Sequence, residues 1–191
     1  MTAVKRFRSA LVQLQIPDET TEQIFAGYEK ISDNVKKEKR AAFFITAIER
    51  MENLLDEDLC HDVRDACACS KGSYRLKASQ KIAREYQGQS LESKLKAISQ
   101  ATHLGNPELD ENGMIVSGVG DQGGFPCPCP VFDGVELSQA VSKTYCYCCA
   151  GHFRFHYQIA LGMQLKTSEV RSSALESRGT APCHIVFEIL D

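Results

Sequence analysis

At 191 residues, with 43% hydrophobic and 25% charged side chains, the chain is long enough for one globular domain with a real core. Its formal charge of −3 offers no basic field for nucleic acid, and no apolar run approaches the roughly 18 residues of a membrane span. The first residues are basic but lack a continuous apolar stretch and a small-residue cleavage site, so no secretory signal is read and the expected compartment is the cytoplasm.

The first hundred residues read as helices. Pro17-Asp18-Glu19-Thr20 opens one, with Asp18 as a cap and Ile24, Phe25 and Tyr28 at helical spacing. Ser32-Asp33-Asn34 breaks it. Residues 35–55 carry the strongest periodicity, with Ala41, Phe44, Ile45, Ile48, Met51 and Leu54 three or four apart. Lys36, Lys37, Lys39 and Arg40, together with Glu38, are expected on its solvated face. Shorter helices are expected over 57–67, 74–86 and 91–101, punctuated by Gly72 and Gly88.

At Gly105-Asn106-Pro107 the composition turns to Gly, Pro and β-formers. Glu111-Asn112-Gly113 is a turn before Met114-Ile115-Val116. The glycine-rich stretch 118–124 is expected to be a mobile lid over the cysteines that follow. Val131-Phe132 and 144–148 read as strands. A helix is expected over 150–161, ended by Gly162, and then a hairpin of 165–175 with 183–190. Cys183, Ile185, Phe187 and Ile189 alternate and should face inward. The expected fold is α+β: N-terminal helices packed on a C-terminal antiparallel sheet. It forms a single domain, 1–191, with a helical half over about 1–104 and a sheet-rich half over about 105–191.

Nine cysteines are an odd number, which argues against complete pairing within one chain. In a reducing compartment they are metal ligands, reactive thiols or small buried hydrophobes. Cys127 and Cys129 lie two apart between prolines, and an extended backbone turns such residues to one side. Cys146 and Cys148 repeat the spacing. If the two segments pair, four thiols converge, and four thiolates make a zinc or iron–sulfur site. Cys127, Cys129, Cys146 and Cys148 are therefore the candidate metal ligands, with zinc as the cofactor and an iron–sulfur cluster as the alternative. His152 and His156, four apart, add nitrogen donors nearby. Cys149 stands where the strand turns into the helix, and a thiol at a helix N-terminus is favoured as thiolate. Cys149 and His152 are the candidate catalytic residues. Cys60, Cys67 and Cys69 form a second group, with packed thiols as the plainer reading. Cys67 and Cys69 have the alternative of joining the first cluster across the fold.

A longer run then carries a resemblance. It contains Gly151-His152-Phe153-Arg154-Phe155-His156-Tyr157, Leu161-Gly162, Val170-Arg171-Ser172-Ser173-Ala174-Leu175, a Gly179 turn and Cys183-His184-Ile185-Val186-Phe187-Glu188-Ile189. This resembles the closing segment of the vinyl-four-reductase-type small-molecule-binding domains. It is similar also to the aminothiazoline-carboxylate hydrolase family. The whole chain resembles bacterial proteins of unknown function with the same Cys-x-Cys clusters. The first resemblance implies helices against an antiparallel sheet and an enclosed pocket for an aromatic or hydrocarbon ligand. It also implies, in some relatives, zinc held by cysteines near this end, where Cys146, Cys148, Cys149 and Cys183 fall. The Pro-Cys-Pro-Cys-Pro run is additional to that pattern, and no effector domain is attached, so transcriptional control within the chain is not expected.

Two functions follow. One is a small-molecule-binding or sensor protein with a Cys-rich metal site. The other is a thiol- or metal-dependent hydrolase acting on a small substrate such as a thiazoline. The expected partner is a small-molecule ligand, with no nucleic acid and no membrane, and with a homodimer left open.

Overall fold

The computed structural model describes residues 2–69, 71–101, 103–119 and 127–190. Six helices come first: α1 (Ala3–Gln13), α2 (Asp18–Phe25), α3 (Lys37–Leu54), α4 (Glu57–Ala66), α5 (Ser73–Glu85) and α6 (Leu91–Ser99). Strands β1 (Asn106–Leu109) and β2 (Ile115–Val119) follow, then a 3-10 turn (Lys143–Cys146), α7 (Tyr147–Leu161), β3 (Gln164–Ser172) and β4 (Cys183–Leu190). The architecture is the expected α+β arrangement, with N-terminal helices packed on a C-terminal antiparallel sheet. Among the described residues no helix is long and apolar enough to cross a membrane.

Local chemistry explains most boundaries. Asp56 caps α4 by accepting from Leu59 N–H at 2.8 Å, and Ser90 caps α6 by accepting from Ser93 N–H at 3.3 Å. Asp18 is not a cap: it is the first residue of α2, where its carboxylate faces the positive end of the helix dipole. Gly162 ends α7 at φ +71°, a left-handed conformation that side chains resist. Helix α1 lies outside the expected elements, although Val4, Phe7 and Leu11 mark one face and are buried.

An aromatic core joins the helices. Phe7 stacks on Phe25 with centroids 5.6 Å apart, and Phe43 lies 5.0 Å from both Phe25 and Phe44. Phe44 meets Tyr145 edge-on at 5.5 Å and carries this core to the start of α7. The basic face at the start of α3 is solvated as expected, with Lys36, Lys37 and Lys39 exposed, and two of its residues also reach neighbouring carbonyls. Lys37 Nζ donates to Asp133 O at 2.8 Å, and Arg40 donates to Asp33 O at 2.8 Å and to Pro130 O at 3.4 Å. They tether the 130–134 turn to α3.

The sheet runs in the order β1-β2-β4-β3, antiparallel throughout. Ile115 pairs with Phe187 and Ser117 with Ile185. Ile185 and Phe187 are buried as the alternation requires, while Cys183 and Ile189 are only partly covered and Val186 is buried as well. Helix α7 is the hub, packing on α4, α5, α6 and β3. Its approach to α4 is close because position 151 is glycine: a Cβ there would lie 2.6 Å from Asp65 Oδ1 and 2.8 Å from Asp65 O.

Candidate functional site

The expected strand over 144–148 is a 3-10 turn running into a helix. Ser142 starts it by accepting from Thr144 N–H at 3.2 Å. Every residue from Thr144 to Cys148 is buried, so the Tyr-Cys alternation carries no inside-outside meaning. Cys146 and Cys148 therefore do not share a strand face. Two residues apart near a helix start, they point about 200° apart. Cys146 Sγ turns to Ser173 Oγ at 3.1 Å, whereas Cys148 turns to α4. Nor is Val131-Phe132 a strand, because Phe132 N–H and Asp133 N–H both donate to Cys129 O, at 2.9 and 2.8 Å, and close a turn.

The centre of the site is a residue absent from the expected set. Arg64 on α4 is 2% exposed. Its Nε and Nη2 donate to Tyr145 O at 3.3 and 3.0 Å, and its guanidinium lies 4.4 Å from the Tyr145 ring centroid. Phe7 and Phe44 stand 5.6 and 5.7 Å away. Burial works against this charge, but Cys148, Cys67, Tyr145 and Cys129 outweigh it and hold Arg64 protonated. A buried cation needs an anion, and the groups that act on Arg64 are thiols and a phenol.

Cys148 is the thiol pulled down, favoured as thiolate first by its hydrogen bond with Cys149, then by Arg64 and Arg6, against its burial. Cys149 is pushed well up by that same bond and by burial, so it is the protonated donor of the pair. The thiol favoured as thiolate at the start of α7 is thus Cys148, one residue before the expected Cys149. Both lie in the first turn, but the arginines act on Cys148. Burial is also the leading cause that raises Cys129, Cys67, Cys146 and Cys183, and it takes Cys127 to about 12.

The four expected ligands act on one another through their charges. Cys127 feels Cys129 and Cys148, and Cys146 feels Cys127 and Cys148. Cys67, Cys149 and Cys183 join them. Cys67 reaches this cluster because α4 ends at Ala66, just before it, while Cys60 stays apart with its Sγ toward Met51 O at 3.5 Å. Cys129 Sγ lies 3.2 Å from Tyr145 Oη, and Cys183 Sγ accepts from Ala174 N–H at 3.3 Å. Among the described residues no group of three or more His, Cys, Asp or Glu side chains is arranged to hold a metal ion. As arranged, the donors spend their directions on Ser173, Tyr145, Cys149 and Arg64 rather than on one point, so they do not form a ready cage.

His152 is buried among structural partners. Its Nδ1 donates to Cys69 O at 2.8 Å and its Nε2 accepts from Arg75 Nη1 at 3.1 Å, the tautomer following from a carbonyl that only accepts and a guanidinium that only donates. Burial takes it down to about 4, so it is neutral. His156 meets Ser79 Oγ at 2.9 Å. His152 joins α7 to α5 and to the segment after α4, and His156 joins α7 to α5.

Beside Cys127, and no other cysteine, lies a cavity of about 340 Å³, lined also by Phe132, Leu137, Leu175 and Arg178 among others. The expected glycine lid falls mostly on 120–124, outside the described residues, with Gly118 and Val119 belonging to β2.

Residues 9–176 match the model of a family of unknown function, DUF6144. The chain belongs to the DUF6144 family. No curated protein and no solved structure matches it. The match to DUF6144 spans Arg64, Tyr145, Cys148 and Cys149 together, and stops short of Cys183.

Proposed function

We propose that this protein performs thiol chemistry on a small molecule, with Cys148 as the resident thiolate and Arg64 as its fixed counter-ion. The observation that carries this reading is the burial of Arg64 among thiols, which leaves a thiolate as its natural anion. The cavity walled by Cys127 offers a small molecule a place beside the cluster. The likeness of residues 151–189 to vinyl-four-reductase-type domains and to the aminothiazoline-carboxylate hydrolases supports a small ligand with a C=N or C=O group. The step is attack by Cys148 Sγ on that carbon: the C–S bond forms, the π pair moves to nitrogen or oxygen, and Cys149 supplies the proton. Water then replaces the enzyme sulfur on that carbon: the C–O bond forms, the C–S bond breaks, Cys148 leaves as the thiolate and the proton given up by water returns to Cys149. Nine unpaired thiols fit a reducing compartment, and we place the protein in the cytoplasm.

The test is the rate of iodoacetamide labelling at Cys148 against pH, followed by peptide mass spectrometry. Labelling should persist below the ordinary thiol range. An inflection at or above that of free cysteine defeats the reading. A panel of thiazolines and related electrophiles, scanned for covalent adducts at Cys148 by intact mass, then narrows the substrate.

A second reading is favoured by the gathering of Cys127, Cys129, Cys146 and Cys148. In it the four rearrange around zinc or an iron–sulfur cluster, and Arg64 offsets the excess negative charge of four thiolates. Metal analysis of anaerobically purified wild-type, Cys129→Ser and Cys146→Ser proteins decides it: full metal in the variants, or none in the wild type, removes it.

A further inference from the structure

Two stretches of the chain carry opposite and equal excesses of charge. Residues 49–65 hold seven acidic side chains against two basic, and residues 71–96 hold seven basic against two acidic. We propose that the protein binds a second copy of itself through these stretches, the basic face of α5 on the acidic face of α4, in a two-fold dimer that salt dissociates. Neither face includes a cysteine, and the contact does not depend on the thiol chemistry proposed above.

Helix geometry sets both faces. On α5, Ser79 and Ile82 are buried, Ser79 against His156 of α7. Tyr74, Lys77, Lys81 and Arg84 lie on the opposite side, all exposed. On α4, Cys60, Val63 and Arg64 are buried, and Asp58 and Asp62 lie on the opposite side, both exposed. Each face thus carries two like charges four residues apart, about 6 Å along the helix. Lys77 and Lys81 match Asp58 and Asp62 in spacing and oppose them in sign.

Like charges four apart on one helix repel. Each face is therefore unfavourable alone and is relieved by the other. Among the described residues Lys77, Arg84, Asp58 and Asp62 make no ion pair. Lys81 meets Glu85 at 3.8 Å, but both side chains are more than half exposed, and such a pair is readily exchanged for a new partner. An exposed apolar side chain accompanies each face. Tyr74, at the start of the basic stripe, is 55% exposed, and Leu54, which closes α3 just before α4, is 40% exposed.

A nucleic acid would match the basic face alone. Outside 71–96 the chain has 23 acidic residues against 15 basic, which repels a polyanion, whereas a second copy brings the acidic face with it. A two-fold axis makes the α5–α4 contact twice and closes the assembly as a dimer.

Sedimentation equilibrium of the reduced full chain tests this. The expected mass is twice 21.2 kDa in about 50 mM salt and 21.2 kDa in about 500 mM salt. The double variant Lys77→Glu, Lys81→Glu should stay at single mass in low salt, and so should Asp58→Lys, Asp62→Lys. All four side chains point to solvent, so both variants should keep the wild-type circular dichroism. An equimolar mixture of the two should recover the doubled mass, because each supplies the charge that the other has lost. The salt series on wild type needs no variant. Single mass for wild type in low salt overturns the dimer. A doubled mass that persists in both double variants, or a mixture that stays single, overturns the α5–α4 contact. If wild type stays single and binds an oligonucleotide that Lys77→Glu, Lys81→Glu does not, the basic face serves a polyanion and the dimer is refuted.

Discussion

Arg64 and Tyr145 stand 81 residues apart in sequence, yet the Arg64 guanidinium donates to the Tyr145 carbonyl at 3.0 Å and lies over its ring at 4.4 Å. The same arginine, buried between helix α4 and the 3-10 turn, acts on Cys148. One side chain therefore fixes the start of α7 and adds to the pull that Cys149 exerts on the proton of the thiol in its first turn.

Replacing Arg64 by Met keeps the bulk and removes the charge. Cys148 then keeps its bond with Cys149 but loses its nearest cation, so its labelling inflection should move up in pH. The Tyr145 carbonyl also loses its guanidinium donors, and the loss of stability should be roughly 1–3 kcal/mol. Labelling against pH and urea denaturation measure the two effects. An unmoved inflection would mean that Arg64 is only a structural clamp.

Gly151→Ala places a methyl carbon 2.6 Å from Asp65 Oδ1 and 2.8 Å from the Asp65 carbonyl. The carboxylate can swing, though only by loosening its ion pair with Arg154, and the main-chain carbonyl cannot. Helices α4 and α7 must separate, with a loss of roughly 1–3 kcal/mol. The melting temperature of G151A should fall by several degrees. Because α4 carries Arg64, the Cys148 inflection should shift with it.

Stability should fall in mild acid through His152. Its folded value, about 4, lies below the ordinary 6.5 of a histidine because burial disfavours the charged ring. Above pH 6.5 both states are neutral and His152 has no effect. Between 6.5 and about 4 the unfolded chain takes up a proton that the folded chain refuses, so stability declines as pH falls. The loss approaches roughly 3 kcal/mol at about 1.4 kcal/mol per unit. Urea melts at pH 7.5 and 5.0 check this, and His152→Gln should flatten the difference.

Tyr157→Phe removes a hydroxyl that donates to Leu104 O at 2.7 Å and meets Ser117 Oγ at 2.6 Å. Both partners are buried on the approach from α6 to the sheet. The variant should lose roughly 1–3 kcal/mol, with the ring still packed on Phe187. A melt equal to wild type would show that water replaces the hydroxyl.

The helices were legible wherever one face stayed apolar, as with Phe44, Ile48 and Met51 on α3. β4 was legible through Ile185 and Phe187. The α7 entrance was not. Tyr145-Cys146-Tyr147-Cys148 mimics strand alternation, and the deciding signal, the Ser142 cap, is a single hydroxyl. Arg64 was missed because a charged residue reads as solvent-facing. Yet it shares the helix face of Cys60 and Cys67, four residues after one and three before the other, and that face is buried. Cys127, Cys129, Cys146 and Cys148 stood out in the sequence by their spacing. Their directions were not, because a helix in place of a strand sends Cys146 and Cys148 to different partners.

The long reach from α4 to the start of α7 also fixes when the thiolate comes into being. A chain whose growth has passed Arg64 but not Tyr145 has neither the carbonyl that clamps the guanidinium nor the thiol that answers it. Closing so long a loop costs chain entropy before the contact repays it. Until α7 meets α4, Cys148 lacks the pull of Arg64 on its proton.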